Sequence, residues 1–382
     1  MRRVLVEHLR AGDRIGQDIY SRPDALPLLR AGVRVSDSYR PSLARAGITS
    51  VWVDDGLSEG IEPLEILTEE TKQRASLTVQ DAFRDATRAM ATGTVLPDST
   101  VSDMAQVVNL IVKEVSGNIH AALALNDLAN ADRYTMKHSL AVTTLGLSLG
   151  LRVMHKYGWL DARDALRFDS VSERLPSLGV GLLVHDIGKL AVPLEILQKP
   201  GALTDEEWVA MRTHPDEGVR ILQAATISPL SRAVVRSHHE RWDGGGYPAG
   251  KSGTQIHQFA RIAAVADVFD ALTSERHYRR AWPAHKAWQF IVDRSGRDFD
   301  PDVVEVFRTS VAPYPPGTGV VLSDGTCGIV KDVRSDSVTL PVVRVVMDAS
   351  GASIPFREVD LAKSRDLTIL STDFNPWAVQ NQ

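Results

Sequence analysis

Residues 180–189 read Val-Gly-Leu-Leu-Val-His-Asp-Ile-Gly-Lys: five uncharged, apolar residues run straight into His185 and Asp186, with Lys189 about one helical turn beyond His185. Such a run is a helix heading into a core. Titratable groups at its end are costly there without partners, which marks His185 and Asp186 as candidates for a functional site. The same signature recurs at Ile262-Ala263-Ala264-Val265-Ala266, which leads into Asp267, with Asp270 on the same helix face three residues later. Of the eleven histidines, the informative ones sit beside carboxylates or each other: His185-Asp186 and His238-His239-Glu240, with His138 and His214 in the same helical region. A metal site needs several imidazoles and a carboxylate to converge, and one carboxylate can bridge two ions about 3.5–4 Å apart. A histidine standing alone is ordinarily a satisfied core or surface residue, and His8, His120, His155, His257 and His285 are read as structural.

Outward from this region the periodicity stays helical. Ala75, Val79, Phe83, Ala86 and Met90 form one stripe, Val101, Met104, Val108, Ile111 and Val115 another, and Leu140–Met154 reads as a core helix. Thr204-Asp205-Glu206-Glu207 is a capping box that starts a helix. Pro215 discourages helical geometry at His214 and places it at a helix-to-helix corner. After Ala312-Pro313-Tyr314-Pro315-Pro316-Gly317 the pattern turns strand-like, with runs at 320–322, 328–333 and 342–347 and an Asp324-Gly325 turn. The first sixty residues are short valine, leucine and isoleucine runs, such as Leu28–Val35 and Val51–Val53, between glycine turns. The expected fold class is multidomain: a small N-terminal β or α/β module over 1–65, a connecting helix over 66–97, an all-α domain over 98–311, a small C-terminal β domain over 312–374 and a tail over 375–382.

Composition narrows the function classes. A net charge of −5 argues against general binding to DNA or RNA, so any anionic ligand must be held locally. One cysteine, Cys327, excludes an internal disulfide framework and a thiolate zinc module, and suits a reducing, cytoplasmic setting. Residues 1–18 interrupt every apolar run with charge, unlike a secretory leader. The most apolar stretch is shorter than the roughly 20 residues a membrane span needs.

The order and spacing of these residues resemble the HD-GYP family, metal-dependent phosphodiesterases of the HD superfamily that open cyclic di-GMP. The matching strings are Tyr134-Thr135-x-x-His138-Ser139, His185-Asp186-Ile187-Gly188-Lys189, Leu203–Trp208 leading to His214-Pro215 and Gly218, His238-His239-Glu240-Arg241-x-Asp243-Gly244-x-Gly246-Tyr247-Pro248, and Arg261-Ile262 through Ala266-Asp267-x-x-Asp270-Ala271-Leu272-Thr273. They cover roughly residues 100–310, and the string ending in Gly246-Tyr247-Pro248 is highly specific.

The resemblance implies an all-α HD-type catalytic domain with a dinuclear centre: His138, His185, Asp186 and Asp267 around one metal, and Asp186, His214, His238 and His239 around the other. Some members hold a third metal through a glutamate four residues before the first histidine ligand; Tyr134 stands there, so two metals are expected, iron first and manganese second. Asp186 and Lys189 are the expected catalytic residues, Lys189 offsetting charge in the transition state. Arg276 and Arg279 are expected on the phosphates or guanines, although the family often has lysine at the second place; Asp270, Ala271 and Tyr247 are expected along the base site. The implied activity is two-metal hydrolysis of cyclic di-GMP to linear pGpG, with GMP as a further product. The alternatives are a cyclic di-GMP sensor with little turnover, or an HD phosphohydrolase acting on another cyclic dinucleotide. A homodimer and a protein partner at the Gly246-Tyr247-Pro248 loop are the other associations it suggests. One departure is the charged insertion at 157–178, which lengthens the interval between His138 and His185, reads as helical or looped, and would be able to shade the active site. The outer modules resemble small domains attached to members of the family, through Leu9-x-x-Gly12-Asp13 and Gly47-Ile48-x-x-Val51-Trp52-Val53.

Overall fold

The computed structural model of the protein describes residues 1–382 except 21–26, 47, 49, 119–133, 162, 164, 275–280, 365 and 373–382. At the N-terminus, β1 (Arg2–Leu5), β2 (Arg14–Ile15), α1 (Tyr39–Arg45) and β3 (Ser50–Asp54) form an α/β module with an antiparallel sheet in the order β1-β3-β2. Leu9, Ile15, Leu43, Val51 and Val53 make its core. The run Leu28–Val35 is not a strand. It contributes only isolated bridges, Ile19 to Leu29 and Arg14 to Arg34, because Gly32 turns the chain with φ of 84° between them.

The central part is helical: α2 (Glu69–Thr92), α3 (Asp98–Gly117), α4 (Tyr134–Tyr157), α5 (Val171–Leu183), α6 (Leu194–Leu197), α7 (Asp205–Met211), α8 (His214–Leu222), α9 (Pro229–Ser237), α10 (Gln258–Thr273), α11 (Ala284–Val292) and α12 (Pro301–Ser310). Local chemistry sets several starts. The Thr204 hydroxyl accepts from the Glu207 amide while the Glu207 carboxylate accepts from the Thr204 amide, which completes the capping box of α7. Proline occupies the first turn of α8, α9 and α12, where a missing N–H costs nothing. The helix α2, read as a connector, also belongs to this domain, since Ala75, Val79, Ala82 and Ala86 are buried in the same core as Val108, Leu145 and Leu178. Alanines on that face bring it close to its neighbours. At the centre, α5 lies against α4 where Gly146 faces Leu182 and Gly150 faces Leu178; a Cβ on either glycine would collide with the leucine.

Of the insertion at 157–178, residues 159–167 form a β-hairpin, whereas 171–178 are helical and belong to α5. The hairpin strands β4 (Trp159–Leu160) and β5 (Leu166–Arg167) pair antiparallel. Gly158, at φ of 74°, turns the chain out of α4, and the Arg174 guanidinium lies 3.7 Å from the centre of the Trp159 ring. The hairpin does not shade the cluster described below. Nineteen residues of α4 separate His138 from Tyr157, about 28 Å of helix at 1.5 Å per residue, and Gln258 at the far end of α10 donates to the Gly158 carbonyl at 2.9 Å.

The C-terminal part is an antiparallel sheet of β6 (Gly319–Leu322), β7 (Cys327–Asp332), β8 (Val342–Met347), β9 (Ser353–Asp360) and β10 (Ile369–Ser371), in the order β10-β6-β7-β8-β9. The Asp324-Gly325 turn joins β6 to β7, with Gly325 at φ of 81°. This sheet meets the N-terminal module. The buried Arg344 guanidinium donates to the carbonyls of Leu57 at 3.1 Å and Glu59 at 2.6 Å, and the Trp52 ring lies against Gly317. No helix among the described residues is long and apolar enough to cross a membrane.

His257 has a structural role: its Nδ1 accepts from the Phe259 amide at 3.1 Å and caps α10. Burial first, then the charges of Arg174, Arg261 and Lys251, push its pKa from 6.5 down to about 4. The unfolded chain therefore binds this proton at a higher pH than the folded one, so the stability is complete above pH 6.5 and lost as pH falls towards 4. Melting temperatures followed from pH 7 to 4 should fall more steeply for the wild type than for His257→Asn, which keeps a capping acceptor without that titration; parallel curves would refute the assignment.

Candidate metal centre

Five histidines and two aspartates from five segments converge at one end of α4, α5 and α10. The apolar residues Leu178, Leu182, Leu183 and Val184 carry the chain into the core, where α5 ends and a 3-10 turn over Ile187–Ala191 begins. His185 and Asp186 sit at that change of helix type. Gly188 in the turn lies backbone to backbone against the His214 carbonyl and Gly218 of α8, leaving no room for a Cβ. This contact brings the first histidine of α8 to Asp186. His238 follows α9, His239 is next to it, and α4 and α10 supply His138 and Asp267.

Backbone carbonyls fix the histidine tautomers. Nδ1 of His185 donates to Leu182 O at 2.8 Å, Nδ1 of His214 to Met211 O at 2.8 Å, and Nδ1 of His238 to Val235 O at 2.9 Å. A carbonyl only accepts, so each Nδ1 carries the proton and each Nε2 turns its lone pair inward. His138 is held differently, with Nδ1 2.6 Å from Asp270 Oδ2. The Nε2 atoms gather in pairs, His138 with His185 at 3.3 Å and His214 with His238 at 3.4 Å. The Asp186 carboxylate lies between the pairs. Its Oδ2 is 3.7 and 3.5 Å from Nε2 of His138 and His185, and its Oδ1 is 3.5 and 3.9 Å from Nε2 of His214 and His238. Asp267 adds Oδ1 at 3.1 Å from His138 Nε2 and Oδ2 at 3.8 Å from His239 Nδ1.

This donor set fits divalent cations. Asp186 Oδ1 is buried with no hydrogen-bond donor, and the inward lone pairs of His214 and His238, 3.4 Å apart, repel unless something positive stands between them. The ligand atoms of Asp186, His214, His238 and His239 lie within 4.8 Å of one another, as do those of His138, His185 and Asp186. Imidazole and carboxylate without thiolate suit iron, manganese, nickel or zinc.

The electrostatics agree. Burial lowers the pKa of His214, and takes His238 well below its ordinary 6.5. His239 is pushed down to about 3 by burial, against the pull of Asp267. These three imidazoles are neutral at pH 7. For His138, burial is outweighed by the hydrogen bonds to Asp267 and Asp270, which push it up to about 9; loading a cation at its Nε2 releases that proton. Burial works against ionisation of Asp186 and Asp267, yet Lys189 and the histidines around Asp186, and His138, His239 and His185 around Asp267, hold both well below the usual carboxylate range.

Lys189 stands at the mouth, 29% exposed, its Nζ 2.5 Å from Asp186 Oδ2. His239, 25% exposed, is the other member of the cluster open to solvent. The half-buried Tyr247 faces inward and stacks on His239 with ring centres 4.8 Å apart and planes at 29°. Asp270, expected along a base site, is buried and engaged: it holds His138 and accepts from the Ser274 hydroxyl at 3.1 Å. Ala271 is half-buried one position further along α10. Arg276 and Arg279 lie outside the described residues. Glu240, quoted in the motif but given no role there, is buried and accepts from the amides of Ala249 at 2.8 Å and Lys251 at 3.0 Å, anchoring the loop that carries Tyr247. A carboxylate preceded by two histidines and followed by a glycine-rich loop was the available signal.

Residues 165–303 match the HD domain family. The chain is 38% identical over 293 residues to cyclic di-GMP phosphodiesterase PA4108 of Pseudomonas aeruginosa, spanning 76% of this chain and 65% of that protein. A cyclic di-GMP phosphodiesterase of Thermotoga maritima is 39% identical over 158 residues, 41% of this chain and 43% of that one. The 3′3′-cGAMP-specific phosphodiesterase 2 of Vibrio cholerae is 36% identical over 157 residues, 41% of this chain and 28% of that one. Among solved structures, Bd1817 from Bdellovibrio bacteriovorus superposes with a TM-score of 0.46 at 15% identity, over 80% of this chain and 97% of that one.

Metal counting tests the centre. Asp186→Ala should lose both ions, whereas His214→Ala should retain one; two ions in Asp186→Ala would refute a shared carboxylate. Asp270→Asn should weaken metal affinity by roughly 10- to 100-fold in a chelator competition, through loss of the carboxylate that orients His138.

Proposed function

We propose that this chain, a member of the HD-GYP family, hydrolyses the 3′–5′ phosphodiester of cyclic di-GMP to linear pGpG, with GMP as a further product. The observation that carries the reading is the Asp186 carboxylate, which turns one oxygen to each pair of histidines. A bridging carboxylate between two imidazole sets is the frame of a dinuclear hydrolase. Relatives named as cyclic di-GMP phosphodiesterases support the substrate class.

His138, His185, Asp186 and Asp267 would hold one ion and Asp186, His214, His238 and His239 the other, iron being the first choice and manganese the second. When bound, two such cations supply Lewis acidity, polarising the phosphodiester and making water acidic enough to attack at neutral pH. The rest of the work falls to side chains. Asp186 keeps both ligand sets in register, and Asp270 holds the His138 ring in place. The buried walls exclude bulk water and strengthen every charge interaction inside. Lys189 places an ammonium at the open side, where it can turn from Asp186 to a phosphate oxygen and offset charge that grows in the transition state. Arg276 and Arg279, Ala271 and Tyr247 remain the proposed contacts to the nucleotide, in a cytoplasmic enzyme.

A second cyclic dinucleotide has specific support, because relatives named as 3′3′-cGAMP-specific phosphodiesterases also match this chain. The test is anaerobic purification, reconstitution with iron or manganese, and product analysis with cyclic di-GMP and 3′3′-cGAMP. Cyclic di-GMP should be the faster substrate and Asp186→Ala inactive, while Lys189→Ala should lose about 10²- to 10³-fold in kcat. Full metal loading with no turnover of either dinucleotide would leave a sensor.

A further inference from the structure

Among the described residues, arginines near the metal centre are mostly answered by carboxylates: Arg220 pairs with Glu217 at 2.6 Å, Arg236 with Asp216 at 3.1 Å, and Arg241 with Asp243 at 2.7 Å. Arg212 differs. It follows α7, is exposed, and stands two residues before His214. Its guanidinium carbon lies 5.9 Å from the centre of the Trp208 ring and 5.5 Å from that of Tyr247, with no carboxylate partner among the described residues. Tyr247 in turn stacks on His239. One aromatic ring therefore separates this cation from a metal-ligand candidate on the open side of the cluster. Trp208 remains 43% exposed beside it.

We propose that Arg212, seated on Trp208 and Tyr247, binds the phosphodiester of the cyclic dinucleotide that is not being cleaved, an inference that rests on the reading of the centre as a cyclic dinucleotide phosphodiesterase. A cyclic dinucleotide carries two anionic diesters, and the buried cluster has room in its chemistry for one. The other needs a cation displaced from the centre on its open side. Guanidinium suits that task because its planar fork gives paired donors to phosphate oxygens, and flanking rings restrict its motion before the ligand arrives. Both ring centres lie within the roughly 6 Å over which a cation is drawn to an aromatic face. Trp208 offers a half-exposed flat surface of the kind on which bases stack. Among the described residues no carboxylate pairs with Arg212, which distinguishes it from Arg220, Arg236 and Arg241.

The experiment is steady-state kinetics on the metal-loaded full chain, with cyclic di-GMP and with bis(4-nitrophenyl) phosphate, a diester that has a single phosphate. Arg212→Ala should raise the KM for cyclic di-GMP about tenfold or more, at least fivefold more than it raises the KM for the small diester, and Arg212→Lys should recover part of the loss. An equal effect on both substrates, an unchanged KM, or a loss of bound metal in Arg212→Ala would overturn the inference, the last by making Arg212 a support for the ligands. Absence of wild-type turnover on cyclic dinucleotides would instead overturn the reading on which it rests.

Discussion

Asp186 carries a negative charge at 2% exposure, and the rest of the helical domain is arranged around that constraint. An unpaired buried carboxylate costs several kcal/mol even after the protein relaxes. Lys189 answers one oxygen directly, whereas the other has imidazole lone pairs for neighbours and no donor. The carboxylate is thus poised for cations that the protein itself does not supply. Every nearby element serves this. Glycines 146 and 150 let α5 close on α4, and Gly188 lets α8 close on the turn that bears Asp186. A Cβ at Gly188 would push His214 away from the carboxylate, so a residue with no side chain is as necessary to the site as one with a ligand atom.

The support of the histidines divides into two kinds with different chemistry. Carbonyls orient His185, His214 and His238, and burial lowers the pKa of His214 and His238. A carboxylate holds His138 and makes it more basic. Of the five imidazoles, one is thus made more basic by a carboxylate and three are oriented by carbonyls, while His239 stands beside Asp267, an asymmetry that identical residue types conceal.

How much of this could be read in advance followed the range of the interactions. Short-range signals were legible: the capping box at Thr204, the corner at His214, and the apolar approach to His185 and Asp267 all rest on neighbours within a few residues. The three C-terminal strand runs likewise show in short valine-rich segments and one turn. Long-range pairings were not. Asp270 meets His138 across 132 positions, and no local pattern reports that its carboxylate orients a ring. The hairpin at 159–167 was obscured because its strands are two residues each, too short for alternation, and Leu28–Val35 misled because branched residues suit bridges as well as strands. Helix α2 looked like a connector because alanines on its inner face carry little hydrophobic signal, although they permit close packing.

The Arg344 guanidinium ties β8 to carbonyls 285 and 287 residues earlier, and this sets an order of assembly. A ribosome adding roughly 5–20 residues per second needs some tens of seconds to supply that arginine after Leu57 and Glu59 have emerged. During that interval the early module has its own small core but lacks its dock, while the helical domain is completed between them. The N-terminal module and the C-terminal sheet cannot be clasped together before then, and a nascent chain stalled before residue 344 would display an open seam that the finished protein hides.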